Sequence, residues 1–205
     1  MAMNNLYMLG ALGAAGALGG GIYLAYPSST DKPASTTTIR DKLVKDSYTI
    51  LNDGHSDWSK VLEKYNDTKI TPDRRFTQST ETIELDVLKR SCESALSHGE
   101  DESLYEKTKL WCTVPRTLQQ RLEDLKIKLL RTDGNDDQDK WGKLKDLYKA
   151  AGDKGIKTFA INNPDDTNAW QQLRDECKKH LNKERWDSEY EYYLGKVSDW
   201  CSDKG

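Results

Sequence analysis

The same three landmarks occur twice along this chain in the same order: a tryptophan that opens a helical pattern, a Leu-basic-x-x-Cys run, and a Trp-Cys dipeptide. The first set is Trp58, Leu88 to Cys92 and Trp111-Cys112, and the second is Trp141, Leu173 to Cys177 and Trp200-Cys201. The offsets are 83, 85 and 89 residues. Six Trp and four Cys in random order would give on the order of 0.1 Trp-Cys dipeptides, whereas the chain has two. The pattern therefore predicts a tandem repeat of about 85 residues.

All four cysteines belong to these landmarks, and each copy holds two of them. Four cysteines allow three pairings, but only Cys92 with Cys112 and Cys177 with Cys201 close a bridge inside one copy and repeat it in the other. We therefore expect these two disulfides, each stabilising the body by roughly 3 kcal/mol in the chain-entropy model. Disulfides persist in oxidising compartments, so the pairing predicts a body outside the cytoplasm.

A zinc site is the alternative use of these cysteines. Cys177-x-x-His180 has ligand-like spacing, but the first copy has Ala95 where the matching histidine would stand, so disulfides are favoured. The acidic run from Asp133 to Asp139 has oxygen ligands where a calcium loop begins, yet it lacks the glycine and glutamate that such a loop needs. No phosphate-binding loop, nucleophile elbow or zinc-binding helix motif occurs. We therefore expect no cofactor and no metal.

The first 26 residues contain no charged side chain, whereas all 31 basic and 34 acidic residues follow them. Leu6 to Tyr26 is an uncharged run of 21 residues, which as a helix is long enough to cross a bilayer core of about 30 Å. We interpret residues 1–26 as a transmembrane anchor or signal segment. An uncleaved anchor is favoured for two reasons. No Lys or Arg precedes the run, and Tyr23 stands where a cleavage site at Ala25 would need a small residue.

The apolar segment also bears on assembly and on orientation. Gly16 and Gly20 have the G-x-x-x-G spacing at which membrane helices pack closely, which leaves a homo-oligomer open. Four basic residues follow the segment and none precedes it, which by the positive-inside rule favours a cytoplasmic body: Lys32, Arg40, Lys42 and Lys45. The expected disulfides indicate the reverse, and they receive more weight because long domains are translocated regardless of such charges. We therefore expect a single-pass cell-membrane protein with an extracytoplasmic body.

The residues after this segment are polar but rich in aromatic side chains. Leu, Ile, Val and Phe make up only 32 of the 179 residues from 27 to 205, and the same stretch holds 15 aromatic residues, including all six Trp. Apolar spacing is helical throughout and no alternating strand pattern competes, which predicts an all-α fold. A net charge of −3 with interspersed signs offers no basic surface for nucleic acid.

These patterns divide the chain into five parts. They are the anchor or signal segment 1–26, a polar spacer 27–38, helical unit 1 at 39–131, an acidic linker 132–140 and helical unit 2 at 141–205. A first helix is expected from Ile39 to Leu51 and a fifth from Leu118 to Leu129. Trp186 is expected on the last helix, together with Trp200.

The Gly/Ala-rich start, the Trp-Tyr helix, the Leu-basic-x-x-Cys run and the W-C-T-x-P-R-T stretch from Trp111 to Thr117 carry a resemblance. Over nearly its whole length the chain resembles the paralogous families of short, uncharacterised membrane-anchored proteins of haemotropic mycoplasmas. The shared motifs are scaffold residues, so no functional residue is carried over. The resemblance implies a surface role, such as host contact or immune evasion.

Together these features favour a non-catalytic, membrane-anchored surface protein that acts as an interaction or antigen-like module. Its partners would be the membrane, through residues 6–26, and a host or surface protein. Two other classes stay open. A structural envelope component would self-associate, and an enzyme of unrecognised type would need a pocket with converging polar groups.

Overall fold

The structure, a computed structural model, describes residues 37–203, and helices form the fold of this part of the chain. Eight α-helices and two short 3-10 helices occur in this range, joined by turns and by isolated backbone bridges. The all-α prediction is therefore confirmed for these residues. None of their helices is long and apolar enough to cross a membrane. The expected anchor at 1–26, with Gly16 and Gly20, lies outside the described residues.

The helices fall into two sets of four, which we call the N-half (residues 38–114) and the C-half (residues 117–203). The N-half contains α1 (Ile39–Lys45), α2 (Trp58–Tyr65), α3 (Leu85–Ser97) and α4 (Glu102–Trp111), with a 3-10 helix at Pro72–Arg74. The C-half contains α5 (Leu118–Asp124), α6 (Gln138–Tyr148), α7 (Trp170–His180) and α8 (Tyr190–Trp200), with a 3-10 helix at Gly152–Lys154. Each half surrounds its own cluster of buried apolar side chains.

The first helix of each half begins at a capping box and ends at a left-handed turn. Thr38 caps α1 and Thr117 caps α5, and in both cases the hydroxyl accepts a hydrogen bond from the backbone N–H three residues later. Two residues after each helix, Ser47 and Lys126 have a φ of 61°. Because a left-handed residue cannot continue a right-handed helix, both helices are only seven residues long.

The expectation that these helices reach Leu51 and Leu129 is therefore wrong. Beyond the turns the chain pairs with the end of its own half, where Ile50 forms a backbone bridge with Thr113 and Leu129 forms one with Ser202. Leu51 is buried in the N-half cluster without being helical. Apolar spacing identifies buried positions here, but burial alone does not make them helical.

Trp186 does not lie on the last helix as expected. The turn before α8 includes a hydrogen bond from the Tyr190 N–H to the Asp187 carbonyl, so the helix begins only at Tyr190. Trp186 precedes this turn and belongs to the buried cluster of the N-half. One aromatic side chain of the C-half thus completes the core of the other half.

Two disulfides close the cores, Cys92–Cys112 and Cys177–Cys201. Each joins the third helix of a half to the residue that ends its fourth helix, with Cα atoms 5.4 Å and 5.8 Å apart. All four cysteines are buried. These are the pairs that the spacing of the cysteines predicts.

Helix α5 packs in the C-half, although the sequence pattern assigns it to unit 1 at 39–131. Leu118, Leu122 and Leu130 belong to the C-half cluster, and α5 packs against α8. The acidic linker expected at 132–140 is also shorter, because α6 begins at Gln138. The change from one core to the other falls between Val114 and Leu118.

Removal of the Cys177–Cys201 bridge should destabilise the body. The double variant Cys177→Ala, Cys201→Ala is expected to lower the free energy of unfolding by about 3 kcal/mol, because the unfolded chain regains the freedom of the closed loop. The bridge spans 24 residues, and the equivalent change at Cys92 and Cys112, which span 20, should cost a similar amount. Urea unfolding followed by circular dichroism measures both losses. An unchanged unfolding midpoint would show that the bridges do not stabilise the fold.

Candidate interaction site at the junction of the two halves

Arg185 is a buried cation at the junction of the two halves. It precedes α8, and its guanidinium donates hydrogen bonds to the carbonyl oxygens of Thr113 and Val114, at 3.0 Å and 2.8 Å. It also donates to the carbonyl of Lys109 and to the hydroxyl of Thr113. Burial lowers the pKa of Arg185 to about 10, so the side chain stays charged at neutral pH. The cation therefore satisfies carbonyl groups at the negative end of α4.

A second arginine of the C-half makes similar contacts at the end of α1. Arg121, on α5, donates hydrogen bonds to the carbonyls of Asp46 and Ser47, both at 2.7 Å. Its guanidinium carbon lies 3.6 Å from the ring centre of Tyr48, a cation–π contact. The two arginines together attach the C-half to the ends of two N-half helices.

Trp186 is inserted beside these contacts and is 7% exposed. Lys60 and Lys64 of α2 lie over its indole, with Nζ atoms 5.4 Å and 5.9 Å from the ring centre. Arg74 donates a hydrogen bond to its carbonyl at 3.1 Å, and Lys60 pairs with Glu184 at 2.7 Å. The N-half thus holds this short segment by apolar contacts, a side-chain donor to its backbone and an ion pair.

A cleft of about 480 Å³ opens next to this junction, between α4 and the segment that leads into α8. On its wall Lys109 pairs with Glu106 at 2.6 Å and with Glu191 at 3.0 Å. Burial opposes the charge of Lys109, but the hydrogen bonds to these two carboxylates outweigh it and raise the pKa of Lys109. Burial also raises the pKa of Tyr190, which stays a neutral phenol. The cleft thus presents charges of both signs, among them Lys109 paired with two carboxylates.

The lining of this cleft is mostly charged and polar. No histidine or cysteine lines it. Across residues 37–203, no group of three His, Cys, Asp or Glu side chains could hold a metal ion. Cys177 is bonded to Cys201, and His180 lies 3.0 Å from Glu176, so the zinc alternative lacks its thiolate ligand. The arrangement is suited to recognition of a polar or charged surface.

The sequence patterns did not indicate the junction roles of Arg121, Arg185 and Trp186. The landmarks are residue types that occur twice along the sequence, whereas these three residues act at a contact for which the other half has no counterpart. One signal was available: the connection between α7 and α8 spans residues 181–189, whereas the connection between α3 and α4 spans only 98–101. The additional length contains two of the three junction residues.

No protein-family model, no curated protein and no solved structure matches the chain.

Replacement of Arg185 should loosen the junction. Arg185→Met removes the guanidinium donors from three backbone carbonyls, two of them buried, so the free energy of unfolding is expected to fall by about 3 kcal/mol. Arg116→Met is the matched control, because Arg116 is 33% exposed and its surface ion pair is worth less than about 1 kcal/mol. Chemical unfolding of both variants measures the difference. Equal losses for the two variants would contradict the role given to Arg185.

Proposed function

We propose that the chain is a membrane-anchored interaction module without catalytic activity, whose extracytoplasmic body consists of two copies of one helical unit. The two disulfides carry the proposal, because such bridges persist in oxidising compartments and cross-link each half from within. The apolar run from Leu6 to Tyr26 supports attachment to a membrane. The resemblance to membrane-anchored surface families supports the same location.

Recurring side-chain contacts support the duplication. In both halves, two indole N–H groups donate to backbone carbonyls at matching places. The donor and acceptor pairs are Trp58 to Asn52 and Trp141 to Arg131, and Trp111 to Arg74 and Trp200 to Lys154. In both halves a tyrosine also contacts the last tryptophan edge-on, with 4.9 Å between ring centres, namely Tyr65 with Trp111 and Tyr148 with Trp200.

Recurring backbone contacts support it as well. The N–H groups of Leu51 and Leu130 bond to the carbonyls of the bridged Cys112 and Cys201, at 3.0 Å and 2.9 Å. The capping boxes of α1 and α5 and the left-handed turns after them also correspond. In this proposal the copies are residues 38–114 and 117–203, so the boundary near 131 expected from the landmarks moves to 115–116.

The junction cleft supports recognition of another molecule. Its charged groups belong to both halves, as the pair between Lys109 and Glu191 illustrates. Because the disulfides and the buried Arg185 fix the walls, the cleft can meet a partner with little loss of conformational entropy. Mixed surface charges of this kind contribute orientation and selectivity to a protein contact.

Surface labelling tests this proposal. A membrane-impermeant amine reagent applied to intact cells is expected to modify Lys69 and Lys126, which are exposed in the N-half and the C-half. Lys145, whose side chain is only 12% exposed, is the internal control and should react more slowly. Mass spectrometry of the modified peptides measures the outcome. A body that reacts only after the cells are permeabilised would place it inside and contradict the proposal.

A further inference from the structure

The C-half has an open groove at the position where the N-half binds Trp186. This C-half groove has a volume of about 500 Å³ and lies between α6, the 3-10 helix that follows it and the end of α8. Its apolar lining includes Leu144, Leu147 and Trp200. Under the proposed duplication, the N-half residues at these positions are Val61, Lys64 and Trp111.

The two matching tryptophans differ in exposure. The one beside the occupied N-half site is buried, and the one in the open C-half groove is not. Trp111 is 0% exposed and shares its cluster with Trp186. Trp200 is only half-buried, although it makes the same indole and tyrosine contacts as Trp111. Leu147 is 61% exposed, and only Val44 is a comparably exposed large apolar residue among residues 37–203. Exposed apolar surface that lines a groove is typical of a contact site.

The C-half also repeats the two cations that hold the Glu184–Trp186 segment. In the N-half, Lys60 pairs with the glutamate of that segment, and Arg74 donates to the tryptophan carbonyl. Lys143 and Lys154 stand at the corresponding positions of the C-half, and both are exposed. Lys154 lines the C-half groove, and Lys143 directly precedes the groove residue Leu144 on α6. By analogy with the N-half, Lys143 is available to an acidic side chain and Lys154 to a backbone carbonyl of an occupant.

We propose that the C-half groove binds a Glu-x-Trp segment of a partner protein. This deepens the interaction function proposed above and depends on it. A second copy of this chain is a poor source of the segment, because its Trp186 is already buried in its own N-half. The connection between α3 and α4, residues 98–101, occupies the place in the N-half that 181–189 occupies in the C-half. It contains no tryptophan, so it cannot supply the segment either. The occupant is therefore an exposed acidic-aromatic segment of a different protein.

A peptide with the sequence of residues 182–188, Asn-Lys-Glu-Arg-Trp-Asp-Ser, serves as the probe. Fluorescence anisotropy of the labelled peptide with the full chain in detergent is expected to show saturable binding. The same peptide with Trp186→Ala is expected not to bind. Leu147→Asp in the full chain should weaken binding at least about tenfold, because it places a carboxylate in the apolar groove. Val44→Asp is the matched control, because Val44 is 60% exposed on α1, and it should leave the affinity unchanged.

Three results would overturn this proposal. They are the absence of saturable binding, equal affinities for the Leu147→Asp and Val44→Asp chains, and equal binding of the two peptides. A dimer of the full chain that Leu147→Asp dissociates, without peptide binding, would instead assign the groove to a second copy and would also overturn it. Labelling of Lys69 and Lys126 on intact cells is independent of the groove, so failure of the peptide leaves that test of the proposed function intact.

Discussion

The fold depends on the fixation of two Trp-Cys dipeptides. Cys112 and Cys201 are each bridged to the third helix of their half, and their carbonyls accept backbone hydrogen bonds from Leu51 and Leu130. These contacts connect the start and the end of each half, and they hold the neighbouring tryptophan in place. Aliphatic residues are scarce in the body, so large rings must supply buried area while their polar ends find backbone partners. A flexible dipeptide could not keep the tryptophan ring buried and its indole N–H on a backbone carbonyl at the same time.

The contact between the halves is not symmetric. Arg121, Arg185 and Trp186 all belong to the C-half. The two arginines bind helix ends of the N-half, and Trp186 packs into its apolar cluster. Such a heterologous contact joins two different surfaces. If the halves are copies, the surface that is covered on the first is left uncovered on the second. Duplication would then supply a rigid scaffold and a ready-made binding surface at the same time.

The sequence was informative where both halves obey the same constraint, and less informative where they differ. The helical class and the cysteine pairing follow from spacing, because each landmark residue has a matching place in the core of each half. The ends of α1 and α5 could not be read from apolar spacing, since Leu51 and Leu129 remain partly or fully buried after the chain leaves the helix. Trp186 has helical spacing to Tyr190, yet a turn between them sends it into the other core.

The thiol state of the four cysteines in intact cells would show whether the body is closed by two disulfides outside the cytoplasm. Free thiols would be blocked before lysis, and the unreduced peptides would be mapped by mass spectrometry. Bridges from Cys92 to Cys112 and from Cys177 to Cys201 are expected, with no blocked thiol at these positions. Four blocked thiols would contradict an extracytoplasmic, disulfide-closed body and would favour the cytoplasmic orientation that the basic residues after the apolar segment indicate.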